Sequence, residues 1–291
     1  MDASSRGALA AARERLGELT RPSAGLIEKA RERLTGHERA ASSSEELLAL
    51  AEELFSVARL LDGQVTLRRA LSDPSAPPAD RAGVVRQLLS GRVSDTTLDL
   101  VGTAARQRWS RPLDLVEATE TLATDAALDA ADARGELDGV EDELFRFGRI
   151  VGGDAELSRI LSDRTAPAAG KAALVEQLLA GRVSPVTALL LRSHLTGRTV
   201  GNAENVVERL SEAASSRRGQ SVARVTTAVE LTPEQERRLS GLLSRLYNRP
   251  IGLQVTVDPS VLGGLVIRVG DEVIDGSIAH RLEAAGRRLV G

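Results

Sequence analysis

The residues whose types suit chemistry are few and scattered. His37, His194 and His280 are the only imidazoles, they stand far apart, and no HxxxH pattern or cysteine accompanies them. A lone histidine on a helix reads as a packed or exposed side chain. Asp271, Glu272 and Asp275 are close enough in sequence to hold a cation, yet carboxylates around a turn are the ordinary make-up of a solvent-facing hairpin. Gly263-Gly264 resembles a phosphate-cradling loop only in its doubled glycine. The Lys-Ser/Thr of a P-loop and the GxGxxG spacing are missing, so a tight turn feeding a strand is expected. Gly276-Ser277 stands outside any nucleophile elbow. Arg217-Arg218 suits phosphate but is expected to be solvated in a linker, and Trp109 is read as a half-buried core aromatic ahead of an exposed anchor. No acid–base pair follows from spacing. These residues imply a multi-domain interaction protein with no active site, no metal and no cofactor.

Composition sets the frame for those residues. A chain of 291 residues with 42% apolar content is long enough for two or three cores. Five aromatics leave Leu, Val, Ile and Ala to build them, which suits helical packing. The net charge of −3, with both signs mixed along the chain, carries no nucleic-acid footprint. No apolar run approaches the roughly 20 residues of a membrane helix. The opening MDASSRGALAAARER lacks the basic start of a signal peptide, so an intracellular setting is expected.

An internal repeat organises the first two thirds. LLDGQVTLRRALSDPSAPPADRAGVVRQLLSGRVSDTTLDL (60–100) returns as IVGGDAELSRILSDRTAPAAGKAALVEQLLAGRVSPVTALL (150–190), at a constant offset of 90 and without a gap. Such a period is a duplicated domain. Each copy reads as five or six short helices. Ser43 with Glu46 predicts a capping box before Leu47, Leu50, Leu54, Ala58 and Leu61, and the counterpart starts near Val140. Ser94 and Ser184 predict N-caps, Pro185 a first helical position, and Gly91 and Gly181 the ends of the preceding helices. A helix carrying Leu115, Thr119, Leu122 and Ala126 is expected to link the copies.

From Gln220 the period changes. Ala223, Val225, Thr227 and Val229 alternate as one face of a strand, reached through a polar SSRRGQ linker at 215–220. Thr232-Pro233-Glu234-Gln235 predicts a capping box for a helix presenting Leu239, Leu242, Leu243 and Leu246 as one stripe. Ile251, Leu253, Val255 and Val257 form a second strand ended by Asp258-Pro259. Leu265–Val269 and Glu272–Asp275 flank a two-residue turn, with Ile267 opposite Ile274, and a last helix carries Ile278, Leu282 and Ala285. The fold expected is mainly α: two tandem helical-bundle domains, 1–135 and 136–218, followed by a small α+β C-terminal domain, 219–291.

The closing stretch DPSVLGGLVIRVGDEVIDGSIAHRLEAA resembles the C-terminal signature of the delta subunit of F-type ATP synthases, the counterpart of the oligomycin-sensitivity-conferring protein. Asp258, Pro259, Ser260, Gly263, Gly264, Gly270, Asp271, Asp275 and Ser277 match its pattern, followed by Arg281 and Leu282. The resemblance covers about 137 to 291 as a full ordinary member. The additional bundle at 1–135 is similar to the duplicated delta subunits of actinobacteria, here without the membrane helix of a fused b segment.

The resemblance implies a non-catalytic stator subunit of a proton-translocating ATP synthase. It would be peripheral on the cytoplasmic face of the cell membrane, with no cofactor, no nucleic acid and no membrane span of its own. Its implied partners are the N-terminal helices of alpha subunits and the C-terminal region of b, with beta as a further candidate. The family's alpha groove lies between the first and fifth helices of the bundle. That implies approach of Leu98 and Val101, with Leu189 and Leu191 as equivalents, although these leucines and valine would equally serve as bundle core. Two copies would let the chain grip two alpha N-termini. The signature residues would be structural or would contact b. The alternatives are an RNA-binding antitermination-type helical factor, disfavoured by sparse aromatics and balanced charge, and a nucleotide enzyme using Gly263-Gly264.

Overall fold

Ser94 and Ser184 open two helices in the same way, 90 residues apart. The Ser94 hydroxyl accepts from the Thr97 amide at 3.3 Å, and Ser184 accepts from Thr187 at 3.2 Å. These start α5 (Asp95–Arg106) and α10 (Pro185–Leu195), the latter with Pro185 in its first turn. The helices before them, α4 (Pro78–Leu89) and α9 (Ala168–Leu179), are followed by glycines in the left-handed region, Gly91 at φ 72° and Gly181 at φ 69°. A side chain there would strain the turn.

The computed structural model describes residues 1–20, 36–163, 165–179, 181–197, 201–220, 222–247, 251–258, 263–269 and 272–275. The remaining helices of the first part are α1 (Ala3–Thr20), α2 (Gly36–Gly63), α3 (Val65–Ser72) and α6 (Pro112–Arg134). They are followed by α7 (Leu137–Gly153), α8 (Ala155–Ser162) and α11 (Ala203–Gln220). The run α2 to α6 recurs as α7 to α11, with α3 and α4 shifted by 90 residues onto α8 and α9.

Helix α6 links the two copies, and its sequence explains how. Pro112 starts it, and Gly135 ends it at φ 69°. The Gly135 and Glu136 amides donate back to Asp132 and Ala131, both at 2.9 Å, which closes the helix end in a Schellman pattern. Leu115, Leu122 and Leu128, with Ala118, Ala123, Ala126, Ala127, Ala130 and Ala131, are all buried, so α6 is enclosed on most of its sides. Its small residues let neighbours approach from both sides: α1, α2 and α3 from the first copy, α7, α10 and α11 from the second. One contiguous buried cluster therefore runs from Ala8 to Ala214.

The C-terminal part has its own core. Strands β1 (Val222–Thr227), β2 (Gly252–Val257), β3 (Leu265–Val269) and β4 (Glu272–Asp275) form a sheet in the order β2-β1-β3-β4. Strands β1 and β2 are parallel, so they need a crossover, and α12 (Pro233–Tyr247) supplies it. Strands β3 and β4 pair antiparallel with Ile267 opposite Ile274, as expected. Ala223, Val225, Ile267 and Val269 pack with Leu243 and Ile251 into a cluster separate from the helical one. The expected capping box on α12 is reciprocal: the Thr232 amide donates to Gln235 Oε1 at 2.8 Å and the Gln235 amide to Thr232 Oγ1 at 3.2 Å.

Four expectations need correction. Helix α2 runs unbroken through Ser43, so the box predicted there does not start it. The SSRRGQ stretch is the last turn and a half of α11, where Arg217 pairs with carboxylates of α6 and the exposed Arg218 with carboxylates of α7. Strand β1 stops at Thr227, and Val229 is 69% exposed. Of the four leucines in the stripe expected on α12, Leu239 and Leu243 turn towards the sheet, while Leu242 and Leu246 stay exposed. The expected last helix lies outside the described residues.

Candidate functional site

One polar constellation that recurs in both copies joins α2 to α5 and, in the second copy, α7 to α10. Glu53 accepts from the Ser94 amide at 3.0 Å, from Ser94 Oγ at 2.7 Å and from Thr97 Oγ1. Glu143 does the same with the Ser184 amide at 3.0 Å, Ser184 Oγ at 2.9 Å and Thr187 Oγ1 at 2.6 Å. Burial pushes the Glu53 carboxyl up, but the hydrogen bonds from Thr97 and Ser94 outweigh it and hold it below the usual range. A carboxylate at a helix N-terminus is also favoured by the helix dipole. Each cluster therefore fixes where the fifth helix of a copy begins. Neither glutamate follows from the motifs read in the sequence, yet each lies in an identical Glu-Leu-Phe, at 53–55 and 143–145, which carries the signal.

A second constellation lies between the copies. The Thr124 hydroxyl of α6 donates to the Glu120 carbonyl at 2.9 Å, so it accepts from His194 Nε2, 2.9 Å away on α10. That makes His194 the neutral Nε2–H tautomer. Phe55 of α2 meets the same ring edge-on, with centroids 5.4 Å apart and planes at 85°. His194 keeps partial exposure, yet dense packing disfavours the imidazolium and, with the charge of Arg209, pushes its pKa down to about 4. Its role is packing, as the sequence suggests for a lone helical histidine.

The other sequence candidates fall as follows. Leu98 is partly buried at the edge of the helical core, while Val101, Leu189 and Leu191 are fully enclosed in it. At the offset of 90, Val101 corresponds to Leu191, but Leu98 corresponds to Ala188 and Leu189 to Asp99. Trp109 is 5% exposed and donates Nε1–H to the Ala104 carbonyl at 2.8 Å, a core position. Gly263 and Gly264 have φ 116° and 82° and lead directly into β3, a turn that other residues would strain. The Asp258 amide donates to the Thr227 carbonyl at 2.8 Å, closing the β1–β2 pair. Glu272 accepts from the Tyr247 hydroxyl at 2.9 Å, and Asp275 pairs with Val266 through the β3–β4 ladder. Pro259, Ser260, Gly270, Asp271, Ser277, His280, Arg281 and Leu282 lie outside the described residues. Among the described residues no metal-holding group of His, Asp and Glu is gathered.

The long helix α6 with bundles on both sides, helix starts fixed by carboxylates, and a small sheet with a separate core define a scaffold protein that offers faces to other polypeptides. The family model for the ATP synthase delta (OSCP) subunit matches residues 123–289. The match begins inside α6, earlier than the expected 137. ATP synthase subunit delta of Streptomyces griseus is 45% identical over 291 residues, covering 100% of both chains. That of Parafrankia sp. is 45% identical over 289 residues, 99% of each. That of Kineococcus radiotolerans is 47% identical over 240 residues, 82% of this chain and 87% of its own. The chain belongs to the ATP synthase delta (OSCP) subunit family: it is a non-catalytic component of the peripheral stalk and binds other subunits of that complex. The comparisons give the RNA-binding reading no support. No helix among the described residues is long and apolar enough to cross a membrane.

Proposed function

We propose that this chain ties the N-terminal helices of alpha subunits to the C-terminal region of b, holding the catalytic head still on the cytoplasmic face of the cell membrane. The helical copies, 1–135 and 136–218, would face the head, with alpha and in places beta as partners. Leu98, Val101, Leu189 and Leu191 mark the fifth helices against which an alpha helix would seat. The C-terminal domain, 219–291, would take b through the region of Asp258, Pro259, Gly263, Gly264, Gly270, Asp271, Asp275 and Ser277. The observation that carries this reading is the pair of separate cores, one running from Ala8 to Ala214 and one in the sheet, because a link between two partners needs two independently packed ends. Amphipathic helices and an α+β surface both suit helix-in-groove recognition.

Co-purification with tagged alpha and tagged b tests the assignment. Removing 219–291 is expected to abolish capture by b while leaving capture by alpha. Loss of alpha with retention of b would reverse the proposed polarity.

A further inference from the structure

The two copies are alike in sequence but not in what their fifth helices expose. Thr96 on α5 is exposed, whereas Val186, its counterpart on α10, is buried. Asp99 and Thr103 are partly exposed, whereas Leu189 and Ser193 are buried. Asp99 is held by Arg15 of α1 at 2.6 Å. Helix α10 packs on α7, α9 and α11 of its own copy and also on α6 and α2 of the first. The second helices show the mirror asymmetry: Phe55 on α2 is 3% exposed, and Phe145, its counterpart on α7, is 60% exposed. Phe55 is covered because it meets His194; Phe145 has no second bundle to meet.

We propose that the first copy occupies the fifth-helix face of the second copy in cis, as a plug that a partner helix must displace. Duplication then leaves one less covered fifth-helix face, on α5 beside α1, in place of the two that the repeat suggests. The inference rests on the proposed seating of partner helices against fifth helices. The contact shares the helical core, and its polar and aromatic part is small. It comprises the Phe55–His194 edge contact and the Thr124–His194 hydrogen bond, and burial, then the like charge of Arg192 on α10, disfavours the charge of Arg59 on α2. Like charges at the margin lower the cost of separating the two faces.

The chain has no cysteine, so single thiols report accessibility cleanly. Ser193→Cys and Thr103→Cys, each in the full chain, are labelled with a maleimide, and the unmodified chain is titrated calorimetrically with an alpha N-terminal peptide. Position 103 is expected to label at least about tenfold faster than position 193, as an open face against one reached only by local separation. The peptide is expected to bind with a stoichiometry of one. Adding Phe55→Ala to Ser193→Cys should raise labelling at 193 several-fold, and in the Phe55→Ala chain a second binding event should appear. Equal labelling at 103 and 193, or a stoichiometry of two in the unmodified chain, would overturn the plug. If the peptide does not bind while position 193 stays protected, the first copy still covers α10, but the seating of alpha on fifth helices falls and the plug's role falls with it.

Discussion

At the scale of single residues, the side chains that matter most here hold other elements in place. Glu143 accepts three hydrogen bonds at the start of α10, so Glu143→Ala leaves the Ser184 and Thr187 donors without their carboxylate. We expect a loss of about 1–3 kcal/mol in urea denaturation. Glu120 on α6 behaves oppositely. Burial, then the charges of Asp62 and Glu117, raise its pKa from 4.5 to about 7. The folded state therefore binds this proton more tightly than the unfolded chain does, and the associated stability is present below pH 4.5 and lost as pH rises to about 7. Glu120→Gln should remove that loss, making the variant more stable than the parent at pH 8 by on the order of 2 kcal/mol, with little difference at pH 4.5. His194, with its pKa lowered from 6.5 to about 4, contributes with the other sign: stability present above pH 6.5 is lost as pH falls towards 4. His194→Gln should flatten that acid limb. Trp109 and His194 were legible in the sequence as packing residues. The roles of the glutamates were not, because the serines they hold are 41 residues away and only the repeated Glu-Leu-Phe marks the positions.

At the scale of elements, local signals were reliable where a side chain closes its own helix and failed where packing overrides them. Ser94, Ser184, Pro185, Gly91 and Gly181 all do what their types dictate, and the Thr232–Gln235 box forms in both directions. Thr232→Ala should cost about 1 kcal/mol and fray α12, seen as faster amide exchange in its first turn. Ser43 with Glu46 carries the same signature, but α2 continues through it, since its packing against α6 rewards a longer helix. The exposed Leu242 and Leu246 show the same limit. A helical stripe can be read from sequence, but how much of it a small sheet covers depends on tertiary geometry.

At the scale of the whole molecule, the repeat announced two bundles, and the structure gives them one buried cluster. Val186 and Leu189, where the first copy has Thr96 and Asp99, were the visible hint that the copies meet. The helical cluster and the sheet cluster are separate, so calorimetry of the full chain should show two unfolding transitions, one for both helical copies together and one for the C-terminal part. Three transitions would mean that the copies unfold apart despite their shared interior. Helix α6 carries one more consequence. A helix claimed by neighbours on both flanks has no spare turn: one residue inserted just after Thr124 would rotate everything downstream by about 100° and advance it by about 1.5 Å. Thr124 would then point away from His194, and the alanine seams would meet the wrong ridges. Lengthening this rod is tolerable only in steps of about seven residues, which return the faces to within roughly 20°. The spacing between the bundles is thus quantised, and any evolutionary change in reach has to be made elsewhere in the chain.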